Sequence, residues 1–150
     1  MYDAVVTLFN FHEPTGTWRT TVFSGVNLLE AKAETATRDS GRTNGDTVEL
    51  IIHTNSEKSA QVVDTDGTTA SVQYVGPKAY SALEDPQGFF TFKAETDFVV
   101  VGNHAQIAPV ADDDYDEGLY HAMNNEYDGV YMITAAAFFG LLPHFEIGGR

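Results

Sequence analysis

The residues of this chain that could do chemistry are twenty-two aspartates and glutamates, five histidines and many serines and threonines, and their spacing decides what they do. The densest group is Asp112-Asp113-Asp114 with Asp116 and Glu117. Hard cations such as calcium and magnesium take clustered carboxylates. The competing role is local, because acids at the start of a helix satisfy free N–H groups and favour the positive end of its dipole. Helix capping plus a solvated face is the expectation for this run, which is also a candidate acidic loop. Asp64-Thr65-Asp66-Gly67 resembles the start of a calcium loop, but an EF-hand needs Gly at the sixth position and Glu at the twelfth, and neither falls in register. An Asp-Gly pair between β-prone runs is instead a hairpin turn, since such turns require positive φ.

His12, His53, His104, His121 and His144 are scattered, with no HExxH or HxH spacing to fix two imidazoles on one metal. No Gly-x-Ser-x-Gly elbow or Ser-x-x-Lys supports an activated hydroxyl, and no GxxxxGK phosphate cradle occurs. The absence of cysteine excludes disulfides and thiolate zinc sites. A glycosidase-like carboxylate pair stays conceivable among so many acids. The expectation is a chain with no catalytic, cofactor or metal site.

The elements that must position these groups read as mainly β. Residues 3 to 11 alternate with period two and are rich in β-branched and aromatic side chains, so they predict a strand. The turn residues His12 to Gly16 and the run Thr17 to Phe23 make it a hairpin. Val26 to Arg38 permits a helix by its Ala and Glu content, but its alternation favours a strand. A polar loop at 39 to 46 leads to a strand over Thr47 to His53, and strands near Ala60 to Asp64 and Thr69 to Val75 flank Asp66-Gly67. Pro77 to Leu83 suits a short helix with Pro in its first turn. Gly88 to Lys93 and Phe98 to Gly102 predict two strands, the second buried on both faces. A second helix is expected to start near Asp112 and carry Tyr115, Leu119 and Met123 on one stripe. Gly129 to Thr134 and His144 to Ile147 close the chain as strands. The expectation is one domain over 1–150, a β-barrel or sandwich of about eight short strands with one or two short helical insertions.

Lys and Arg number 8, which leaves a formal net charge of −14. Such a chain repels phosphate backbones, so nucleic-acid binding is demoted, although an acidic wall also lets a duplex slide past without adhering. The first residues lack the basic start and apolar run of a secretory leader, and no stretch of ~18 apolar residues offers a membrane span. Ten Phe, seven Tyr and one Trp are the more telling feature, because aromatics fill cores and anchor interfaces. Ala135 to Leu142 is an apolar run longer than one hairpin usually hides. It is either core or partner surface, and Phe138, Phe139, Leu141 and Leu142, with the adjacent His144 and Phe145, are the candidate interface.

The chain from Pro77 to Phe92, then Asp97 to Gly102, Tyr127 to Thr134 and the ending Pro143-His144-Phe145-Glu146-Ile147-Gly148-Gly149-Arg150 resembles a family of tailed-phage proteins. The N-terminal Val6-Thr7-Leu8-Phe9-Asn10, then Trp18 and Gly25-Val26-Asn27, extend the likeness over most of the chain. It departs at Ala135 to Leu142, where the family is more polar, and at the long acidic insertion 103 to 118. The resemblance implies a gene in the virion structural cluster and a product at the neck between capsid and tail, a head-closure (stopper) or head-tail joining protein. It further implies a homo-oligomeric ring of six or twelve copies against portal, adaptor and tail proteins, with packaged DNA passing nearby and no membrane or cofactor. Loops 39 to 46, 53 to 60 and 103 to 118 are then candidates for the lumen or for neighbouring rings. A tail terminator or capsid decoration protein is the alternative in the same class; a carbohydrate-binding module with exposed aromatics is the rival from another.

Overall fold

The computed structural model describes residues 4–31, 46–63, 67–106 and 109–150. Among these residues ten strands occur: β1 Ala4–His12, β2 Thr17–Ala31, β3 Thr47–His53, β4 Ser59–Val63, β5 Thr69–Tyr74, β6 Phe89–Phe90, β7 Phe98–Val101, β8 Val110–Ala111, β9 Val130–Phe139 and β10 His144–Gly149. Two helices join them, α1 Pro77–Ala82 and α2 Leu119–Glu126. Six strands close an antiparallel barrel in the order β1-β7-β9-β10-β3-β2, with β2 returning to β1. The expected mainly β barrel with short helical insertions is therefore the fold.

Two long strands make the barrel's corners. β2 pairs with β1 through Val26 and with β3 from Asn27 onward. It turns between them at a bulge where Ser24 and Gly25 stand between Phe23↔Val6 and Val26↔Ala4, and Gly25 takes φ 67°. A bulge bends its strand, and glycine accepts the left-handed backbone without a Cβ penalty. β9 turns in the same way at Thr134, the extra residue between Ile133↔Gly149 and Ala135↔Gly148.

Alternation along β1 sends Val6 and Leu8 into the barrel and Phe9 to its outer wall. The interior also takes Leu50, Ile52, Val99, Tyr131, Ile133, Phe145 and Ile147. The small sheet β4-β5-β6 packs its Ala60, Val62, Val72 and Phe90 onto the same cluster and so plugs the barrel. Outside, α2 lays Leu119 and Met123 over Phe9, Phe98, Val100 and Trp18, which explains why Phe98 to Val101 is apolar on both faces.

Several elements differ from expectation. The helix foreseen from Asp112 is a 3-10 turn, Asp112–Asp114, separated from α2 by Gly118 at φ 90°. Tyr115 therefore leaves the stripe and is 39% exposed, while Leu119 and Met123 are buried. The strand expected over Gly88 to Lys93 stops after Phe90. The Asn10 side chain takes over its ladder: Nδ2 donates to the Thr91 carbonyl at 2.6 Å, and the Thr91 N–H donates to Oδ1 at 3.3 Å. β9 runs on to Phe139, so most of the apolar stretch is strand. β2 ends at Ala31, and the strand expected over residues 32 to 38, the loop at 39 to 45 and the turn residues Asp64 to Asp66 lie outside the described residues.

Candidate functional site

The β9–β10 hairpin carries the candidate interface. Phe139 stands opposite His144, and Gly140-Leu141-Leu142-Pro143 forms the turn between them. Leu141 is 95% exposed, Leu142 76% and Phe139 45%. The turn is anchored where the Thr54 N–H donates to the Pro143 carbonyl at 3.2 Å. Phe139 stacks on the His144 ring with centroids 5.2 Å apart. That imidazole donates from Nε2 to the Glu146 carboxylate at 2.9 Å and from Nδ1 to the Leu142 carbonyl. Two acceptors on two ring nitrogens favour the doubly protonated form, so the Glu146 hydrogen bond first, and then Leu142, raise the His144 pKa. Phe138 is half-buried beneath the Lys58 ammonium, 4.9 Å from its ring centre. Phe145 faces inward, buried among Tyr74, Phe92 and Phe138, so it belongs to the core and leaves the interface to its neighbours.

The acidic run divides. Asp112 Oδ1 accepts hydrogen bonds from Trp18 Nε1 at 2.8 Å and from the Leu119 N–H at 2.9 Å, so this carboxylate caps α2 and locks the indole across the wall. Asp113, Asp114, Asp116 and Glu117 are exposed. Glu117 approaches His121 at 3.7 Å across one helical turn. Among the described residues, no group of three or more His, Asp or Glu side chains is arranged to hold a metal ion. The histidines lie apart, except that His53 and His144 face each other across β3 and β10 with ring centres 6.4 Å apart.

A buried polar cluster went unread in the sequence. Asp97 is fully buried; its Oδ1 accepts the Phe11 N–H at 3.0 Å, and its Oδ2 accepts Asn10 Nδ2 at 2.9 Å and the Lys93 N–H at 3.0 Å. Burial pushes its pKa up to about 6 against the pull of these three donors. Beside it, Tyr80 is raised by burial and by the Asp97 charge, and its hydroxyl has no hydrogen-bond partner among the described residues. His12 donates from Nε2 to the Leu83 carbonyl at 2.8 Å, which leaves Nδ1 to accept from the Thr15 hydroxyl at 2.9 Å. One signal pointed here: Asn10 and His12 continue the phase of Val6 and Leu8, and polar residues in core phase need internal partners.

A groove of about 700 Å³ runs between β2, the β4–β5 hairpin and the 84–89 loop. Arg19, Ser71, Asp85, Gln87 and Gln106 line it, with Phe89 the one aromatic. Arg19 Nη2 reaches Asp85 at 3.4 Å, and its buried Nε has no partner among the described residues.

No curated protein and no solved structure matches this chain. All of it, residues 1–150, matches one family, described as a family of unknown function (DUF6751), and the chain belongs to that family.

Proposed function

We propose that this chain is a structural component of a tailed-phage virion, acting at the neck by assembly and not by catalysis, as a head-closure or head-tail joining protein. The observation that carries the reading is the β9–β10 tip, where Phe139, Leu141 and Leu142 stand in solvent on a hairpin whose inner residues are packed. Exposed contiguous apolar surface marks interaction sites in folded proteins. The net charge of −14 suits a wall along which DNA passes without adhering, and the resemblance of the chain to a family of tailed-phage proteins, which implies a place at the neck, supplies the setting. In this reading the copies form a ring of six or twelve between portal or adaptor and tail.

Purified particles of the phage that encodes the chain test it. Density for a barrel of this topology at the neck, with the chain detected by mass spectrometry, is the expected result, and particles that lack the chain would overturn it. Co-purification with tail tube or capsid instead of portal would favour a tail terminator or decoration protein. The polar groove beside Phe89 supports a second reading as a carbohydrate-binding module, since amides, hydroxyls and a single ring are what sugars meet. Hits on a glycan array that vanish in Gln87→Ala would favour it.

A further inference from the structure

We propose that the outer edge of β9, from Thr134 to Phe139, pairs antiparallel with the same edge of a second copy of this chain. β10 covers one side of β9 out to Phe139, but β7 covers the other side only at Val130 to Met132. Ile133 makes the last contacts on that side, its N–H donating to the Asp97 carbonyl at 3.0 Å and its carbonyl accepting from the Glu95 N–H at 2.8 Å. The chain turns away there through Lys93 to Asp97. Among the described residues nothing pairs with the outer edge beyond Ile133. Folded proteins protect such edges with lysine, proline or inward-pointing charge. Thr134-Ala135-Ala136-Ala137-Phe138-Phe139 contains none of these.

Three features select a second copy as the occupant. The vacant lane continues that of β7, which is antiparallel to β9, and a strand related to β9 by a two-fold axis enters with that same sense. Ala135, Ala136 and Ala137 are exposed and put no bulk in the way of an approaching backbone, and the exposed Phe139, Leu141 and Leu142 follow them at the end of the strand and in its turn. Charge decides the rest. Copies carrying −14 repel over most of their surface, but Gly129 to Phe145 holds no Asp, Glu, Lys or Arg for seventeen residues, the longest such stretch in the chain. A basic partner would be drawn to the carboxylates; a second copy is admitted only where they are missing. Such a two-fold contact is distinct from the head-to-tail contacts that close a ring, so it stands or falls independently of the neck reading.

The full chain tests this by sedimentation equilibrium across a wide concentration range at low and physiological salt. The expected result is a reversible dimer that tightens as salt screens the repulsion, whereas a complex held by opposite charges loosens. The cysteine-free sequence permits single Ala135→Cys, Ala136→Cys and Ala137→Cys variants. At least one should give a disulfide-linked dimer under mild oxidation, and Val63→Cys, at an exposed position of β4, should not. Ala137→Lys and Ala135→Glu, which shift the net charge in opposite directions, should each weaken the dimer about tenfold or more, with circular dichroism unchanged and the urea midpoint unchanged at concentrations low enough to keep the wild type monomeric. A monomer at all concentrations, or an assembly indifferent to both charge variants and unlinked by all three cysteines, would overturn the proposal.

Discussion

Asp97 is closed to solvent, yet three donors point at its carboxyl, and the balance between burial and those donors sets how it titrates. Its pKa of about 6 lies above the 3.8 of an ordinary aspartate, so the folded state holds the proton more tightly than the unfolded chain does. The sign follows: this group's contribution to stability is complete below pH ~4 and is lost as the pH rises through 6, by up to about 3 kcal/mol. Urea unfolding of wild type and Asp97→Asn between pH 4 and 7 reads it. Wild type should fall relative to the variant over that window, and a constant difference would mean that the donors hold Asp97 ionised throughout. Across β9 from Asp97, whose carbonyl bonds the Ile133 N–H, Gly148 and Gly149 look equivalent in sequence but are not in space. A Cβ on Gly149 would sit 2.8 Å from the Met132 carbonyl oxygen and 3.1 Å from Val48 Cγ1, while one on Gly148 would meet only Thr134 Oγ1 at 3.7 Å. Gly149→Ala should therefore cost about 1–3 kcal/mol by forcing β9 and β10 apart, and Gly148→Ala well under 1 kcal/mol. Chemical unfolding of the pair checks both.

α2 is an element held by one carboxylate. Asp112 gives its N-terminus an acceptor seven residues upstream and meets the Trp18 indole with the same oxygen. Asp112→Ala should strand the indole N–H and uncap the helix, for about 1–3 kcal/mol, with a shifted emission from the only tryptophan; Asp114→Ala should do neither. Capping was legible from the acidic run, but the helix start was not. Gly118 at positive φ moves it to Leu119, and only tertiary packing of Leu119 and Met123 on Phe98 reveals which turn is helical. The barrel strands were legible because period-two alternation maps directly onto an inner and an outer face, as in Val48, Leu50 and Ile52 against Glu49 and His53. Phe89 to Lys93 misled for the opposite reason. Its composition is that of a strand, but the ladder partner is the side-chain amide of Asn10, and a contact eighty-one residues away leaves no local periodicity. The same distance hid the Asp97 cluster, whereas the exposed tip was visible as an apolar surplus whose location, core or surface, composition alone left open.

For the molecule as a whole, the division of its aromatic and aliphatic surface separates what folds the chain from what it can offer a partner. Phe145 is enclosed by Tyr74, Phe92 and Phe138, so Phe145→Ala should cost about 3–5 kcal/mol. Leu141→Ser and Leu142→Ser remove comparable apolar bulk from solvent and should leave stability within about 0.5 kcal/mol. Net charge acts on the same scale but without a single author. The excess of carboxylates sits largely on exposed faces, such as Asp113 to Glu117, and sums to −14 for a barrel of 150 residues. Self-repulsion of that size penalises compactness, because unfolding moves like charges apart. Ionic strength then becomes a handle on the fold. Between ~10 mM and ~150 mM monovalent salt the screening length contracts from ~30 Å to ~8 Å, from roughly the span of a small domain to the spacing of neighbouring side chains. At concentrations low enough to keep the wild type monomeric, the urea midpoint should rise over that range with its slope unchanged, and it should do so equally in Ala137→Lys, whose edge is blocked. A midpoint that rises with salt only in chains able to pair would instead assign the effect to association, with no repulsion inside the single barrel.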